Sequence, residues 1–214
     1  MEKLNPKQKY YENVANTIIK NLSKRQIEGY YCANKNLALQ KALELIPKGA
    51  SIGWGGSMTL KETGLLDAIE CGDYNTINRE KATSLEEQRK IYGELFCSDF
   101  FLMSTNAITL DGELINIDGR GNRLAFLCYG PQNVIILAGM NKIVSDVESG
   151  FKKVRDIASP PNTVRLNKKT PCAITGKCED CYSPDCICGQ FVITRRSGVP
   201  NRIKVILIGE ELGY

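Results

Sequence analysis

Five of the nine cysteines fall within one stretch, CAITGKCEDCYSPDCIC (172–188), of a 214-residue chain that has no histidine. Cys172, Cys178, Cys181 and Cys188 follow the spacing C-x5-C-x2-C-x6-C, and the C-x2-C step lets two thiolates chelate one centre. Four thiolates suit a zinc ion or an iron–sulfur cluster, and ligand softness does not choose between the two. The regular two-by-two spacing of a zinc ribbon is absent. Unbound or disulfide-paired cysteines that tether a loop are the structural alternative. Without imidazole there is no Ser-His-Asp or Cys-His arrangement, so any general acid or base is Glu, Asp, Lys, Tyr or Cys.

Four other segments carry groups suited to an anion. In SIGWGGSMTLKETG (51–64), Gly55, Gly56, Ser57 and Thr59 join a strand to a helix. Glycines let successive N–H groups turn toward an anion, and a helix N-terminus adds partial positive charge. The loop is not a Walker A sequence. Nor is it a dinucleotide fingerprint, because Met58 stands where the third glycine belongs. Glu62 either closes a capping box with Thr59 or does acid–base work. In STNAIT (104–109), Asn106 is a short polar group at a strand end. In NIDGRGNRL (116–124), Asp118, Arg120, Asn122 and Arg123 alternate with glycines. Arginine's planar fork suits carboxylate or phosphate, whereas a turn in which Asp118 pairs with its own arginines is the plain alternative. In GMNKIVSD (139–146), Asn141 and Lys142 directly follow a buried strand, where the lysine could hold a carboxylate or phosphate or act as the acid or base.

The elements that must position these groups alternate. Helices are expected over 6–25, 34–46 (capped by Asn34), 84–96 (capped by Ser84) and 144–158, the last stopped by Pro160 and Pro161. Strands are expected over 29–33, 50–54, 74–78, 99–105, 133–139, 191–194 and 203–210, with a hairpin turning at Asp111-Gly112. The apolar strands lack period-two alternation. They predict an α/β fold of three layers, an open, mostly parallel sheet covered on both faces, in which ligands bind beyond the carboxyl ends of the strands. The chain reads as one domain over 1–214, with an ordered Cys-rich insertion over 159–190. Cys32, Cys71, Cys97 and Cys128 lie singly among apolar residues and read as small buried hydrophobes.

Apolar content of 43%, charged content of 24% and a net charge of +4 suit a soluble globular protein and exclude a strong nucleic-acid partner. MEKLNPKQKYYENVAN has no apolar core for a signal peptide, and VIILAGM (134–140) is too short to cross a bilayer. A cytoplasmic location is expected. Clustered thiols there point to metal or redox chemistry.

GWGGSMTLKETGL, FCSDFFLMSTNAITLDGELINIDGRGNR and YGPQNVIILAGMNKIVSDVESGFKKVR, in that order, resemble the LUD (lactate-utilisation) domain family. TPCAITGKCEDCYSPDCIC and RIKVILIGEELGY resemble its stand-alone, cysteine-bearing branch. The resemblance implies the fold of ribose-5-phosphate isomerase and the CoA transferases, with GWGGSMT as an anion or acyl-ligand loop. It also implies a link to oxidation of lactate or related organic acids beside iron–sulfur proteins. It supplies no catalytic residue: no motif here fixes the nucleophilic glutamate of the CoA transferases. The branch commonly carries arginine at position 186, so Cys186 departs from it and could replace one of the four ligands or stand as a free thiol. The expected ligand is a small anionic metabolite (an organic acid, acyl or phosphorylated compound). The alternative is a non-catalytic binding or assembly subunit of an iron–sulfur oxidoreductase, with structural zinc or no metal.

Overall fold

The computed structural model describes residues 5–214; Met1–Leu4, the start of the 1–214 span and of the leader reading, lie outside the described residues. Among the described residues ten strands form two sheets. In chain order they are β1 (Glu28–Cys32), β2 (Ser51–Trp54), β3 (Asn75–Ile77), β4 (Phe100–Met103), β5 (Ala107–Thr109), β6 (Leu114–Asp118), β7 (Asn133–Gly139), β8 (Ile143–Val144), β9 (Gln190–Thr194) and β10 (Ile203–Ile208). The central sheet runs β1-β10-β7-β4-β2-β3 and is parallel throughout, with Val205 opposite Ile136 and Phe101 opposite Val134.

Parallel strands need crossovers, and helices supply them. These are α1 (Pro6–Lys24), α2 (Lys35–Glu44), α3 (Met58–Glu62), α4 (Leu65–Cys71), α5 (Leu85–Phe96), α6 (Asn122–Cys128), α7 (Val147–Lys153), α8 (Ser159–Arg165) and α9 (Pro171–Thr175). Asn5 and Gln8 cap α1 reciprocally, and Pro6 opens it where a missing N–H costs nothing. Ala15, Ile18 and Leu22, spaced by three and four, then face the sheet. Successive residues of β7 point to opposite cores. Val134, Ile136 and Ala138 meet α1, α5 and α6; Ile135 and Leu137 meet α2, α3 and α4. This is the three-layer α/β arrangement, and it explains the unbroken apolar run of β7. Burying each such side chain contributes roughly 1.5–3 kcal/mol.

The second sheet, β8-β5-β6-β9, is mixed, and it has its own small core of Ala107, Ile115, Ile117, Val154 and Ala158. Residues 191–194 therefore join not the central sheet but β6, antiparallel, with Ile193 opposite Ile115. The β5–β6 connection also differs from a two-residue turn. Gly112 N–H donates to Thr109 and Thr109 N–H to Glu113, so Leu110, Asp111 and Gly112 form the loop, with Gly112 alone at positive φ.

The helix expected to stop at Pro160 continues. A π-helical turn, Val154–Ala158, links α7 to α8, and Ser159 N–H donates to Val154, five residues back. Pro160 and Pro161 occupy the first turn of α8, where the absent N–H groups are not needed. Residues 159–165 are thus helix rather than insertion loop. Among the single cysteines only Cys32 is buried; Cys71, Cys97 and Cys128 end or cap helices α4, α5 and α6, where the chain turns out to solvent. No helix among the described residues is long and apolar enough to cross a membrane.

Candidate functional site

The carboxyl ends of β2, β3, β4 and β7 open into one cleft of about 340 Å³. Gly56–Thr59 forms one wall after β2, with Arg79 after β3, Ser104–Asn106 after β4 and Lys142 after β7. Gly213 and Tyr214 reach it beyond β10. Asp118, Asn122 and Arg123 enter from the end of β6, and α8 adds Ser159, Asn162 and Arg165. Of the residues expected from sequence, Gly56, Ser57, Thr59, Asn106, Asp118, Asn122, Arg123 and Lys142 line this cleft.

Gly55, Glu62 and Asn141 do not line it; each holds a residue that does. A side chain at Gly55 would press on the Arg123 stem, 3.2 Å from Cδ. The Glu62 carboxylate accepts from Gly213 N–H at 2.8 Å. Asn141 Nδ2 donates to the Gly213 carbonyl at 3.2 Å, and its Oδ1 accepts from Leu212 N–H at 3.1 Å. Glu62 therefore makes no capping box with Thr59. Ser57 is the cap, accepting Leu60 N–H at 3.3 Å, while Thr59 donates to the Leu212 carbonyl at 3.3 Å.

Backbone N–H groups of Gly56, Ser57, Met58 and Thr59 find no protein acceptor among the described residues. With α3 only five residues long, it is these free donors rather than a helix dipole that the wall can offer to an anion. The Arg79 guanidinium lies over Gly56, where a Cβ would come within 3.4 Å of Nη2. Neither the Arg79 nor the Arg120 side chain has an ion-pair or hydrogen-bond partner among the described residues. Arg165 differs, since Nε and Nη2 donate to Asn162 Oδ1 at 3.1 and 2.7 Å.

Arg123 behaves unlike the expected ligand clamp. Nε donates to Asp118 Oδ2 at 3.2 Å. Nη1 donates to the Ser104 carbonyl at 3.0 Å and to Asn116 Oδ1 at 2.8 Å; Nη2 donates to Asn106 Oδ1 at 3.0 Å and to the Ile117 carbonyl at 3.1 Å. All five donors are consumed. The side chains of Arg123 and Asp118 are only 14% and 11% exposed. Asp118 also accepts the N–H groups of Arg120 and Gly121, so the pair bolts the end of β6 to the turn after β4. Asn122 Nδ2 donates to the Tyr92 hydroxyl at 3.2 Å.

Lys142 is 4% exposed, and its Nζ donates to the main-chain oxygen of Tyr214. Burial pushes its pKa down to about 7; the positive charges of Lys153 and Arg123 add to the effect, and Glu62 opposes it.

Sequence reasoning missed Arg79, Asn116, Asn162, Arg165 and the Gly213-Tyr214 segment. Asn78-Arg79 directly follows β3, as Asn141-Lys142 follows β7 one residue later, and the same strand-end rule finds it. Asn116, inside a buried strand, gives no such signal.

The cysteine segment borders the cleft. Ile187, between Cys186 and Cys188, lines it, and a Cβ at Gly119 would lie 3.3 Å from Ile187 Cα. Cys188 Sγ donates to Ser159 Oγ at 3.5 Å, and burial pushes its pKa up to about 11. Cys186 Sγ accepts from Cys188 N–H at 3.4 Å, and Cys178 Sγ accepts from Arg155 Nε at 3.4 Å. Cys172 sits beside the Thr170 hydroxyl at 3.3 Å. All nine cysteines are free thiols. The donor types fit a soft metal, yet among the described residues no three or more Cys, Asp or Glu side chains are gathered to hold an ion.

Residues 15–208 match the family model described as the LUD domain. The chain is similar to a crystal structure of a DUF162 family protein from Deinococcus radiodurans. The TM-score is 0.54 at 16% identity, over 92% of this chain and 98% of that chain, a likeness of fold. It is also partly similar to ribose 5-phosphate isomerase A from Methanocaldococcus jannaschii (TM-score 0.34, 18% identity, 53% of this chain and 55% of that chain). No curated protein matches.

Proposed function

The chain belongs to the LUD domain family, linked by its name to lactate utilisation, and on that footing we propose that its cleft binds a small anionic metabolite: an organic acid, acyl or phosphorylated compound. The observation that carries this reading is the run of unpaired amides at Gly56–Thr59 beside the unpaired guanidinium of Arg79. An anion seated there would accept from N–H groups that no protein atom already occupies. Arg79 and Arg120 have donors to give. Arg123 and Asp118 act as positioning residues that hold the Asn106 turn against β6. Lys142 adds positive charge below pH 7 and loses it above, so anion binding weakens as pH rises through about 7.

An iron–sulfur cluster or zinc at the cysteine segment is an accompanying proposal, supported by its thiol donors, and oxidation of an organic acid is the role the family link suggests. A cytoplasmic location belongs to the same proposal, because clustered thiols stay reduced there. A second reading, a non-catalytic assembly subunit of an iron–sulfur oxidoreductase, is favoured by apolar side chains left exposed in and before the segment, among them Ile174 (83% exposed) and Tyr182 (100%). Metal analysis of protein purified without oxygen separates them: a brown preparation supports the cluster, and a colourless one with one zinc per chain supports the structural role.

A thermal-shift panel of lactate, glycolate, sugar phosphates and acyl-CoA tests the anion cleft. One member raises Tm, and Arg79→Gln combined with Arg120→Gln abolishes most of that rise. If no member stabilises the protein, or the double variant responds as the original does, the reading fails.

A further inference from the structure

Five cationic side chains line the cleft against two carboxylate side chains, and their partners divide them. Arg123 is consumed by Asp118 and by four neutral oxygens, so that cation and that carboxylate answer each other. Lys142 donates to a main-chain oxygen of Tyr214. Arg79, Arg120 and Arg165 remain, one after β3, one after β6 and one on α8. None of the three forms an ion pair among the described residues. Arg165 has only the neutral side-chain oxygen of Asn162 as acceptor. The second carboxylate, Glu80, is next to Arg79 in the chain and is the one acidic side chain in the lining left to set against three guanidiniums. The positive charge of the cleft therefore exceeds what a single carboxylate ligand would balance.

We propose that the group this cleft takes is a phosphate monoester, so that the ligand is a small phosphorylated compound rather than a monocarboxylic acid. This rests on the anion-binding reading of the cleft and narrows its three ligand classes to one. A carboxylate brings one negative charge and two oxygens in a single plane. A phosphate monoester brings about 1.5–2 negative charges near pH 7 and three acceptor oxygens that point in different directions. The three guanidiniums belong to three separate elements, and Arg79 stands over the Gly56 backbone, so their donors reach the cleft from different walls. A tetrahedral group has an oxygen to offer to each of several forks, whereas one fork already fills the edge of a carboxylate. A cleft lined by charge of one sign also concentrates a doubly charged ligand more strongly than a singly charged one.

Lactate, malonate and glycerol 3-phosphate, each built on three carbons, are titrated into the full-length protein by calorimetry at neutral pH and fixed ionic strength. The expected result is a Kd for glycerol 3-phosphate about tenfold or more below those of the other two. Arg165→Gln alters an exposed side chain of α8 and raises the Kd of glycerol 3-phosphate several-fold, more than it raises that of lactate. Lactate binding as tightly as the phosphate ester overturns the proposal and leaves the anion cleft standing. Malonate binding as tightly overturns it too, because two charges without a tetrahedral group then suffice. An unchanged Kd for glycerol 3-phosphate in Arg165→Gln removes the three-arginine basis and counts against it equally. If none of the three compounds binds, both the phosphate assignment and the anion cleft fail.

Discussion

Arg123 and Lys142 each bring a cation into the cleft wall, and their surroundings give them different work. The sequence marks both as anion-binding candidates, because each follows a strand in a polar run. It cannot show that the five donors of Arg123 are taken by Asp118, Asn116, Asn106 and the carbonyls of Ser104 and Ile117, a convergence of the β4 and β6 ends that only the folded chain creates. Arg123→Ala leaves a nearly buried carboxylate and several acceptors unmatched. It is expected to cost about 3–5 kcal/mol of stability, read from the urea midpoint. For Lys142 the consequence is a pH dependence. Its folded pKa of about 7 lies below the ordinary 10.5, so between those values the unfolded chain holds the proton and the folded one does not. Stability contributed by this group therefore rises with pH across that window, and the penalty for burying the charge is complete below pH 7. Lys142→Met should be more stable than the original by on the order of a few kcal/mol at pH 6, with the gain shrinking toward zero near pH 10. Melting curves across pH measure this; a gain independent of pH contradicts it.

Among the elements, periodicity and caps are the most legible features. Asn34 and Ser84 cap α2 and α5 as their side chains predict, with Oδ1 and Oγ accepting Leu37 and Glu87 N–H. The prolines at 160 and 161 mislead because a π turn ahead of them changes which donors the helix needs, and nothing local in the sequence announces that turn. The segment after β10 is equally silent. Its place is set by Gly139, whose missing side chain lets Glu210 O and Leu212 N approach to 2.7 Å of where a Cβ would stand. Gly139→Ala should lift this strap from the cleft. Hydrogen exchange at Met140, whose N–H donates to Glu210, and at Leu212 should then accelerate, with β1 and β4 unaffected. Unchanged protection at both amides would show that the strap is held by other contacts.

Across the whole molecule, the parallel sheet and its helical layers are legible because β7 and β10 are apolar on both faces, which only a doubly covered sheet requires. The second sheet is not. Its strands are short, and β6 finds β9 only after the intervening helices and cysteine segment, a long-range pairing with no local signature. Yet that sheet supplies Asp118 and the turn leading to Asn122 and Arg123, all of which line the cleft. The cleft is thus a property of two sheets meeting, and its central claim is that a small anion is held on the Gly56–Thr59 amides between them. Titrating isotope-labelled protein with the stabilising member of the panel and following backbone amide resonances tests this most directly. The account predicts saturable shifts at Gly56, Ser57, Met58 and Thr59 that share one binding curve. Saturable shifts confined to residues away from these amides, or no saturable shift, would contradict it.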